Sequence, residues 1–264
     1  MAIHPSATVH PSAHVEPGAK IGPGCRIGPF CLIGAEVTLA EAVEVKSHAV
    51  LTGWTDIGAE TVVFPFATLG EVPQDLKFRG ERTRLVVGAR NRIREHVTMN
   101  TGTEGGGGVT SVGDDCLIMA GAHVAHDCQI GNRCILVNNA ALAGHVILED
   151  EVIVGGLSGV HQFVRIGHGA MIGAVTMVTA DVIPHGLVQG PRGGLDGLNL
   201  VGLKRRGAGK ADMLALRDLL GALREGSFRD TARRIADEGA DSAYVREVLD
   251  FILGPSDRSF LTPR

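Results

Sequence analysis

The chain has 264 residues, of which 44% are hydrophobic and 4% aromatic, and its formal net charge is −4. This mildly acidic balance, with a single dense basic cluster at Lys204-Arg205-Arg206, does not indicate a nucleic-acid-binding surface. No apolar run reaches the roughly 18 residues that a membrane-spanning helix requires. The repeat described next begins at Ile3, which leaves no room for a signal peptide, so we expect a cytoplasmic protein.

A six-residue repeat dominates residues 3–183. Twenty-five hexads begin with Ile, Val or Leu, and their fifth residue is Ala, Cys, Val, Thr or Ser in every hexad except the one with Asn91. Because only these two positions are consistently apolar or small, their side chains are predicted to face inward. Glycine at the second position of ten hexads is interpreted as a tight turn with positive φ. Each hexad therefore predicts a short strand followed by a corner.

Three hexads predict one triangular coil of 18 residues, and the coils stack at the strand spacing of roughly 4.8 Å. A residue then lies beside the residue 18 positions further along the chain. Frequent glycine, proline and β-branched residues disfavour helices here. Short repeats that cannot bury their own apolar faces stack into a continuous core. We therefore predict an all-β solenoid, a parallel β-helix, over residues 1–190.

Two segments interrupt the repeat, at residues 69–86 and 99–111. Loops that leave a regular scaffold often carry function. We assign a function to the first loop, because its polar residues are mixed with Leu76 and Phe78. The second loop contains four consecutive glycines, and we interpret it as a tolerated surface insertion.

The pattern changes after Gly190. Residues 191–203 show no period, whereas apolar residues recur at helical spacing in three stretches from about Lys210 onward. We predict that residues 191–264 form a linker and a small α-helical C-terminal domain.

The five cysteines all occupy the fifth position of their hexads, where they are predicted to be small core residues with free thiols. Cys116 and Cys134 lie one coil apart and are close enough to bridge, but a cytoplasmic setting favours the reduced state. We expect neither a metal nor a redox role for them.

Histidines and a carboxylate converge on one patch of the predicted wall. Stacking by 18 residues places His126, Gly144 and Gln162 in one column, and the two neighbouring columns add further polar groups. The resulting patch is His126, Asp127, His145, His161 and Gln162. Histidine suits proton transfer near neutral pH, and an aspartate can fix its tautomer. We interpret this set as a functional site, whereas His48, His168 and His185 have no evident partners.

A zinc site is the main competing interpretation of the patch. Hexapeptide β-helices of the γ-class carbonic anhydrases hold zinc on three histidines that include a His-x4-His pair. No two histidines of this chain are five residues apart. We therefore predict no metal, and a zinc-dependent hydratase stays a remote alternative.

Several motifs together resemble the UDP-N-acetylglucosamine O-acyltransferase family, the acyl-carrier-protein-dependent first enzymes of lipid A biosynthesis. The resemblance extends over essentially the whole chain and implies a left-handed β-helix. It also implies a homotrimer with active sites in the clefts between subunits. The motifs that carry it are 123–134, Leu142-Ala143-Gly144-His145, Val160-His161-Gln162-Phe163, Pro73-Gln74-Asp75-Leu76-Lys77, Asn199 and 202–207.

The resemblance implies a role for each matched residue. His126 would be the general base that takes the proton from the sugar 3-hydroxyl as this oxygen attacks the thioester. Asp127 would orient His126, and the N–H of Gly144 would donate to the oxyanion. The implied substrate contacts are His123, His145 and His161 at the sugar and diphosphate, Gln162 at the nucleotide, Asp75 and Lys77 at the acyl chain, and Asn199, Arg205 and Arg206 from the adjacent subunit.

The resemblance implies direct attack with no covalent acyl-enzyme and no cofactor other than the phosphopantetheine of acyl carrier protein, which would meet the C-terminal helices. Asn100 occupies a position where well-known members of the family have His, and Val201 occupies one where some members have Glu. These departures leave open whether the acceptor carries a 3-hydroxyl or a 3-amino group. Ala174 matches a residue that helps to set acyl length, and its small size predicts a fairly long 3-hydroxyacyl chain.

Two further alternatives stay open. One is another hexapeptide acyltransferase, such as the later N-acyltransferase of the same pathway, although that family has an additional N-terminal uridine-binding domain. The other is a solenoid without catalytic activity, which would not bind a sugar nucleotide.

Overall fold

The computed structural model describes residues 2–256 and 258–263. Most strands are two residues long, as expected for hexads that turn a corner every six residues. In chain order the strands are β1 (Ala2–Ile3), β2 (Thr8–Val9), β3 (His14–Val15), β4 (Lys20–Ile21), β5 (Arg26–Ile27), β6 (Leu32–Ile33), β7 (Thr38–Leu39), β8 (Glu44–Val45), β9 (Val50–Leu51), β10 (Trp54–Ile57), β11 (Val62–Val63), β12 (Thr68–Glu71), β13 (Arg84–Val87), β14 (Arg92–Ile93), β15 (Thr98–Asn100), β16 (Val109–Val112), β17 (Leu117–Ile118), β18 (His123–Val124), β19 (Gln129–Ile130), β20 (Ile135–Leu136), β21 (Ala141–Leu142), β22 (Ile147–Leu148), β23 (Ile153–Val154), β24 (Gly159–Val160), β25 (Arg165–Ile166), β26 (Met171–Ile172), β27 (Met177–Val178), β28 (Gly186–Gln189) and β29 (Gly194–Leu198).

Each regular coil contributes one strand to each of three sheets, which form the walls of a triangular prism and are parallel except for the last strand of sheet B. Sheet A begins with β1 and β4 and ends at β25, sheet B begins with β2 and β5 and ends at β29, and sheet C begins with β3 and β6 and ends at β27. Regular coils pair residues 18 positions apart, as in Lys20↔Thr38 and His123↔Ala141. The stacking rule used to group the histidines is therefore confirmed.

The two insertions are shorter than the sequence predicted, because the flanking strands extend into them. Strand β12 continues to Glu71 and β13 resumes at Arg84, while β16 resumes at Val109. Across the insertions the paired residues lie more than 18 positions apart, as in Trp54↔Arg84 and Arg84↔Val109, and these strands still pair in sheet A. The protruding segments are 72–83 and 101–108, and the second contains a 3₁₀ turn at Glu104–Gly106.

Glycine at the second hexad position has a different cause from the one predicted. None of these glycines has a positive φ; the left-handed conformation belongs to the fourth position, where Asp127 has φ 59° and His145 has φ 63°. A Cβ on Gly22 would lie 2.7 Å from the carbonyl carbon of Ala40 on the next coil. Glycine is therefore required here by the close approach of neighbouring backbones.

The first and fifth hexad positions form one continuous core along the prism. Its single inward asparagine, Asn91, is fully buried and satisfied: Nδ2 donates to the carbonyls of Gly88 at 2.9 Å and Gly113 at 2.8 Å, and Oδ1 accepts from the Cys116 N–H at 2.7 Å. All five cysteines are buried free thiols. Buried polar groups of this kind are tolerated because every hydrogen bond is made.

The β-helix ends in a hairpin and is followed by helices. Strands β28 and β29 pair antiparallel on sheet B, so strand structure continues to Leu198, beyond the predicted boundary at 190. The hairpin escaped prediction because its pairing does not follow the hexad period. The helices are α1 (Leu200–Arg205), α2 (Lys210–Ala222), α3 (Phe228–Glu238) and α4 (Ala243–Leu253). Among the described residues, no helix is both long and apolar enough to cross a membrane.

Candidate active site

A histidine–aspartate pair lies at the corner between sheets C and A. His126 and Asp127 occupy the turn between β18 and β19, and His126 Nδ1 lies 2.8 Å from Asp127 Oδ2. Because a carboxylate only accepts hydrogen bonds, this contact assigns the proton of the imidazole to Nδ1. The Nε2 atom of His126 is then left with a free lone pair. The geometry is that of a general base with its orienting partner.

The carboxylate of Asp127 is buried beneath the second insertion. Its side chain is 1% exposed, and the backbone N–H of Thr103 donates to Oδ1 at 2.9 Å while the Thr103 hydroxyl donates to Oδ2 at 2.6 Å. The Asp127 N–H donates to the Thr110 hydroxyl at 2.8 Å. A Cβ on Gly106 would overlap the Asp127 carboxyl group. The interpretation of residues 99–111 as a mere surface insertion is therefore wrong: Gly102 and Gly106 let this loop close over the aspartate.

His145 lies one coil away at the same corner. Its ring stacks on Phe163 at 4.3 Å and 7°, and it meets the ring of His126 edge-on at 5.0 Å and 88°. Its Nδ1 is 3.8 Å from Asp127 Oδ2. Burial lowers the pKa of His145, and the charges of Asp127 and Asp75 partly oppose that effect. His145 is therefore favoured in its neutral form, which suits a hydrogen-bonding contact to a ligand.

Gly144 lies directly under the His126 ring. A Cβ at this position would be 2.5 Å from His126 Cε1, so only glycine lets the imidazole adopt its position. The Gly144 carbonyl accepts from the Phe163 N–H at 3.1 Å, whereas the Gly144 N–H makes no hydrogen bond to any described residue. The corner therefore offers an open backbone donor next to the open nitrogen of His126.

His123 and Asn100 lie beside this corner on sheet C. His123 Nδ1 is 2.7 Å from the Thr98 hydroxyl, and burial, followed by the charge of His126, lowers its pKa. Asn100 is 5% exposed, and its Nδ2 donates to the Val72 carbonyl at 3.0 Å. Its Oδ1 has no partner among the described residues. If the side-chain oxygen and nitrogen of Asn100 were exchanged, its oxygen would face the Val72 carbonyl oxygen, and no hydrogen bond could form. The assignment is therefore fixed, and Asn100 Oδ1 is a buried acceptor.

His161 and Gln162 are exposed at the same corner, on the coil after that of His145. His161 Nδ1 accepts from Arg258 Nη2 at 2.8 Å, and the same Arg258 nitrogen donates to the Thr179 carbonyl at 3.1 Å. The structure thus adds a cation that sequence reasoning missed, because Arg258 lies 97 residues away in the chain. Thr103 and Thr110 were missed for a different reason: they lie in or directly after the insertion, where the 18-residue stacking rule does not apply. Phe163 could have been found, because it shares a column with Asp127 and His145.

Asp75 and Lys77 lie in the first protruding segment. Asp75 Oδ1 accepts from the Lys77 N–H at 2.9 Å, which closes a local turn. The segment is anchored beside the corner, because Asn100 Nδ2 donates to the Val72 carbonyl at 3.0 Å. The charge of Asp75 partly opposes the lowering of the His145 pKa by burial. Lys77 is exposed, and Leu76 is 98% exposed at the tip of the turn. The segment therefore presents a carboxylate, an amine and an apolar side chain next to the site.

Asn199, Arg205 and Arg206 lie elsewhere, in a cleft of about 780 Å³ between sheet B and α1. Asn199 Oδ1 accepts from the Gly202 N–H at 3.0 Å and caps α1, while its Nδ2 donates to the Gly169 carbonyl at 3.0 Å. Arg205 is exposed and makes no contact with a described charged group. Within one chain, these residues and the His126 corner are on different parts of the prism.

The remaining predicted residues, Ala174 and Val201, are both exposed. Ala174 lies at the corner between sheets B and C, which is not the corner of His126. Val201 is 62% exposed and lines the cleft beside α1. A single chain therefore does not bring Ala174 and the catalytic pair together.

Two groups of three side chains in the described part of the chain place ligand-type atoms within 4.8 Å of one another: His126 with Asp127 and His145, and His168 with His185 and Glu247. In the first group, both oxygens of Asp127 already accept hydrogen bonds. The second group was not predicted, and the statement that His168 and His185 lack partners is wrong. Glu247 lies 79 and 62 residues from these histidines, beyond any repeat pattern.

Comparison with known proteins places these features in a family. The model described as UDP-N-acetylglucosamine O-acyltransferase, domain 2, matches residues 181–261, and the bacterial transferase hexapeptide model matches residues 2–35 and 110–144. An acyl-[acyl-carrier-protein]–UDP-N-acetylglucosamine O-acyltransferase of Paracoccus denitrificans is 80% identical over 202 residues, 76% of this chain and 77% of that protein. The enzyme of that name from Rhizobium etli is 50% identical over 229 residues, 86% and 84% of the two chains.

A solved structure gives the same result. The UDP-N-acetylglucosamine acyltransferase from Campylobacter jejuni is 36% identical and superposes with a TM-score of 0.90 over 97% of this chain and 100% of that chain. The predicted fold class, a left-handed parallel β-helix with a small helical C-terminal domain, is confirmed by this match and by the three parallel sheets. The chain belongs to the UDP-N-acetylglucosamine O-acyltransferase family.

Proposed function

We propose that this chain transfers a 3-hydroxyacyl group from acyl carrier protein to the 3-position of UDP-N-acetylglucosamine, the first step of lipid A biosynthesis. The family membership supports this reaction, and one observation on the site carries it. That observation is the corner where His126 presents an open Nε2 while a buried carboxylate holds its Nδ1.

The proposed reaction uses three groups of this corner. Nε2 of His126 takes the proton from the sugar 3-hydroxyl as the oxygen attacks the thioester carbonyl. Asp127 stabilises the resulting imidazolium, and the open N–H of Gly144 donates to the oxyanion, a contact typically worth ~3 kcal/mol. The C–S bond then breaks, and His126 returns the proton to the phosphopantetheine thiolate.

Direct attack by the sugar is the simpler route, because no thiol is available as a nucleophile. The cysteine nearest in sequence, Cys128, is fully buried, and burial raises its pKa to about 12. A neutral, inaccessible thiol does not attack a thioester. No cofactor is proposed beyond the phosphopantetheine of acyl carrier protein.

We propose that the working unit is a homotrimer with the site between subunits. The His126 corner and the cleft with Asn199 and Arg205 lie on different parts of one chain. Packing the corner of one subunit against the cleft of another would bring the proposed sugar contacts (His123, His145, His161 and Gln162) to the proposed nucleotide contacts. Sedimentation of the purified protein tests the trimer.

The proposal assigns the acyl donor to the first protruding segment and to the helical domain. Asp75 would accept a hydrogen bond from the 3-hydroxyl of the acyl chain, with Lys77 beside it, and exposed Ala174 would leave room for a fairly long chain. The C-terminal helices, preceded by the basic cluster 204–206, would meet acyl carrier protein in the cytoplasm. Assays with a series of acyl-carrier-protein thioesters test this, and a preference for the shortest chains would refute the role of Ala174.

The identity of the acceptor group is tested by the product. Asn100 presents a buried acceptor oxygen near the site, and both a hydroxyl and an amine can donate to it. Mass spectrometry of the product formed from UDP-N-acetylglucosamine and from its 3-amino analogue separates O- from N-acylation. Absence of acylated product from either nucleotide, with no nucleotide binding by calorimetry, would refute the proposed function.

A zinc-dependent hydratase is the second candidate, because His126, Asp127 and His145 place three ligand-type atoms together. Metal analysis of the purified protein distinguishes the two functions. Acyl transfer that persists after treatment with a chelator supports the proposed reaction.

A further inference from the structure

Five side chains form a closed ring at the corner between sheets A and B, next to the cleft of α1. We call this set the corner ring: Glu151, His168, His185, Arg206 and Glu247. Glu151, His168 and His185 come from neighbouring coils, Arg206 follows the end of α1, and Glu247 lies on α4. The corner ring thus joins the β-helix to two separate helices.

The contacts of the corner ring run continuously from one member to the next. His168 Nδ1 lies 2.6 Å from Glu247 Oε1, and His185 Nε2 lies 2.9 Å from Glu247 Oε2. Arg206 Nη2 is 3.1 Å from His185 Nδ1. Glu151 Oε2 closes the ring, because it lies 3.6 Å from Arg206 Nη1 and 3.8 Å from His168 Nε2.

The charge of Arg206 fixes the protons of its neighbours. An arginine is always protonated and only donates, so His185 Nδ1 must accept and its proton lies on Nε2, facing Glu247. His168 donates its Nδ1 proton to the same carboxylate, and this hydrogen bond raises the pKa of His168 against the opposing effect of burial. The two cationic members, His168 and Arg206, are therefore separated by the carboxylate of Glu151. On the other side of the ring, neutral His185 lies between Arg206 and the carboxylate of Glu247.

This arrangement argues against a divalent cation at His168, His185 and Glu247. A metal would need the Nε2 of His185 without its proton, while the other ring nitrogen is already the acceptor for a guanidinium. The positive charge of Arg206 would also repel the metal, because only the imidazole of His185 would separate them. The site is built instead to hold an arginine.

Arg206 is held in a fixed position beneath α1. Its Nη2 faces the Gly169 carbonyl at 3.5 Å, and a Cβ on Gly169 would lie 2.5 Å from Arg206 Cζ. Its Nε is buried without a partner among the described residues. Asn199, which caps the start of α1, binds the same Gly169 carbonyl. Both ends of α1 are therefore fastened to one corner of the β-helix. Both arginines line the cleft beside α1, but Arg205 is exposed whereas the guanidinium of Arg206 is engaged by His185 and Glu151.

We propose that the corner ring positions the sugar-nucleotide site: it holds α1 in place through Arg206, so that Arg205 rather than Arg206 is the cation offered to the diphosphate. This proposal rests on the proposed function and revises the role that the family resemblance implied for Arg206. His185 and Glu247 act through Arg206 and touch no substrate, so they are positioning residues.

Glu247→Gln opens the corner ring, because a glutamine has one acceptor oxygen where two N–H donors converge. We expect the KM and the calorimetric Kd for UDP-N-acetylglucosamine to rise about fivefold or more, with kcat within twofold and the KM for the acyl-carrier-protein thioester unchanged. Glu225→Gln is the matched control, since Glu225 is exposed in the same helical domain. A Kd for Glu247→Gln equal to that of the control would overturn the proposal.

A double-variant cycle separates positioning from direct contact. If Arg206 acts through the corner ring, Arg206→Lys weakens nucleotide binding, and adding Glu247→Gln to it has little further effect. Independent effects that multiply would instead mean that Arg206 binds the nucleotide itself, which contradicts the proposal. A wild-type protein that binds no UDP-N-acetylglucosamine refutes the proposed function, whereas wild-type binding with unchanged variants refutes the corner ring alone. Thermal melting verifies that each variant is folded.

Discussion

The corner of His126 and the corner ring contain the same kinds of side chain, two histidines next to a carboxylate, yet they are arranged for opposite purposes. At the first, Asp127 is satisfied by Thr103 and orients one imidazole whose second nitrogen stays open. At the second, both oxygens of Glu247 accept from imidazoles, and His185 is used at both nitrogens. An open nitrogen allows proton transfer to a substrate, whereas a closed network can only hold its members in place.

Removing the open imidazole should have the largest effect. His126→Ala deletes the proposed general base, and general acid–base catalysis contributes typically 10²–10⁴-fold, so we expect kcat to fall by about 10³. Gel filtration should show the oligomeric state of the wild type. Activity within about threefold of wild type, less than ~0.7 kcal/mol of barrier, would mean that His126 is not the base.

The loop over Asp127 offers a sharper test, because two adjacent glycines differ in what surrounds them. A Cβ on Gly106 would overlap the Asp127 carboxyl group, whereas a Cβ on Gly105 meets nothing within 4 Å. We expect Gly106→Ala to lower kcat about tenfold or more by displacing the carboxylate that orients His126.

Gly105→Ala is the control and should keep wild-type kcat. Steady-state kinetics of the two variants checks this, and equal kcat values would mean that the loop does not hold Asp127.

The corner ring should show its charges in the pH dependence of stability. Burial raises the pKa of Glu247, but the hydrogen bonds from His168 and His185 outweigh it and hold this pKa at about 2, and the hydrogen bond to Glu247 raises the pKa of His168 from 6.5. The glutamate contribution is present above its ordinary pKa of 4.5 and is lost as the pH falls toward 2. The histidine contribution is complete below pH 6.5 and is lost as the pH rises through the raised pKa.

The melting temperature of the wild type should therefore exceed that of Glu247→Gln most between pH 4.5 and 6.5, and the difference should shrink at higher pH. Subtracting the two melting temperatures removes most of the pH dependence that comes from groups present in both proteins. One such group is Glu149, whose pKa is raised by burial. Calorimetric scans at several pH values measure it. A difference that is constant from pH 5 to 9 would show that charge plays no part in the corner ring.

The two regions also differ in what the sequence could predict. His126, Gly144 and His145 belong to a repeat of fixed period, so counting residues was enough to place them side by side. The closure over Asp127 depends on Thr103 and on glycines in a segment that leaves the repeat, and no period links them. The glycines at the second hexad position show the same limit, because their requirement comes from the backbone of the next coil.

The corner ring lay beyond prediction for a physical reason. His168 and His185 are 17 residues apart, where the regular coil has 18, because the last coil is shorter: Ile166 pairs with Val182 and Met171 with Leu187, each 16 residues further on. Glu247 lies on α4, which follows α1, α2 and α3 in the chain, and it meets these histidines only because the helices pack against the β-helix. Tertiary packing of this kind leaves no trace in a local pattern.

The most direct comparison of the His126 corner with the corner ring is the single-turnover rate at which acylated UDP-N-acetylglucosamine forms. It is measured with enzyme in excess over nucleotide and with nucleotide far above its Kd. The open imidazole is expected to govern this rate, so His126→Asn should slow it by about 10³ while His185→Asn leaves it within twofold of wild type. A single-turnover rate that falls in His185→Asn but stays near the wild-type value in His126→Asn would contradict the assignment of proton transfer to the corner between sheets C and A.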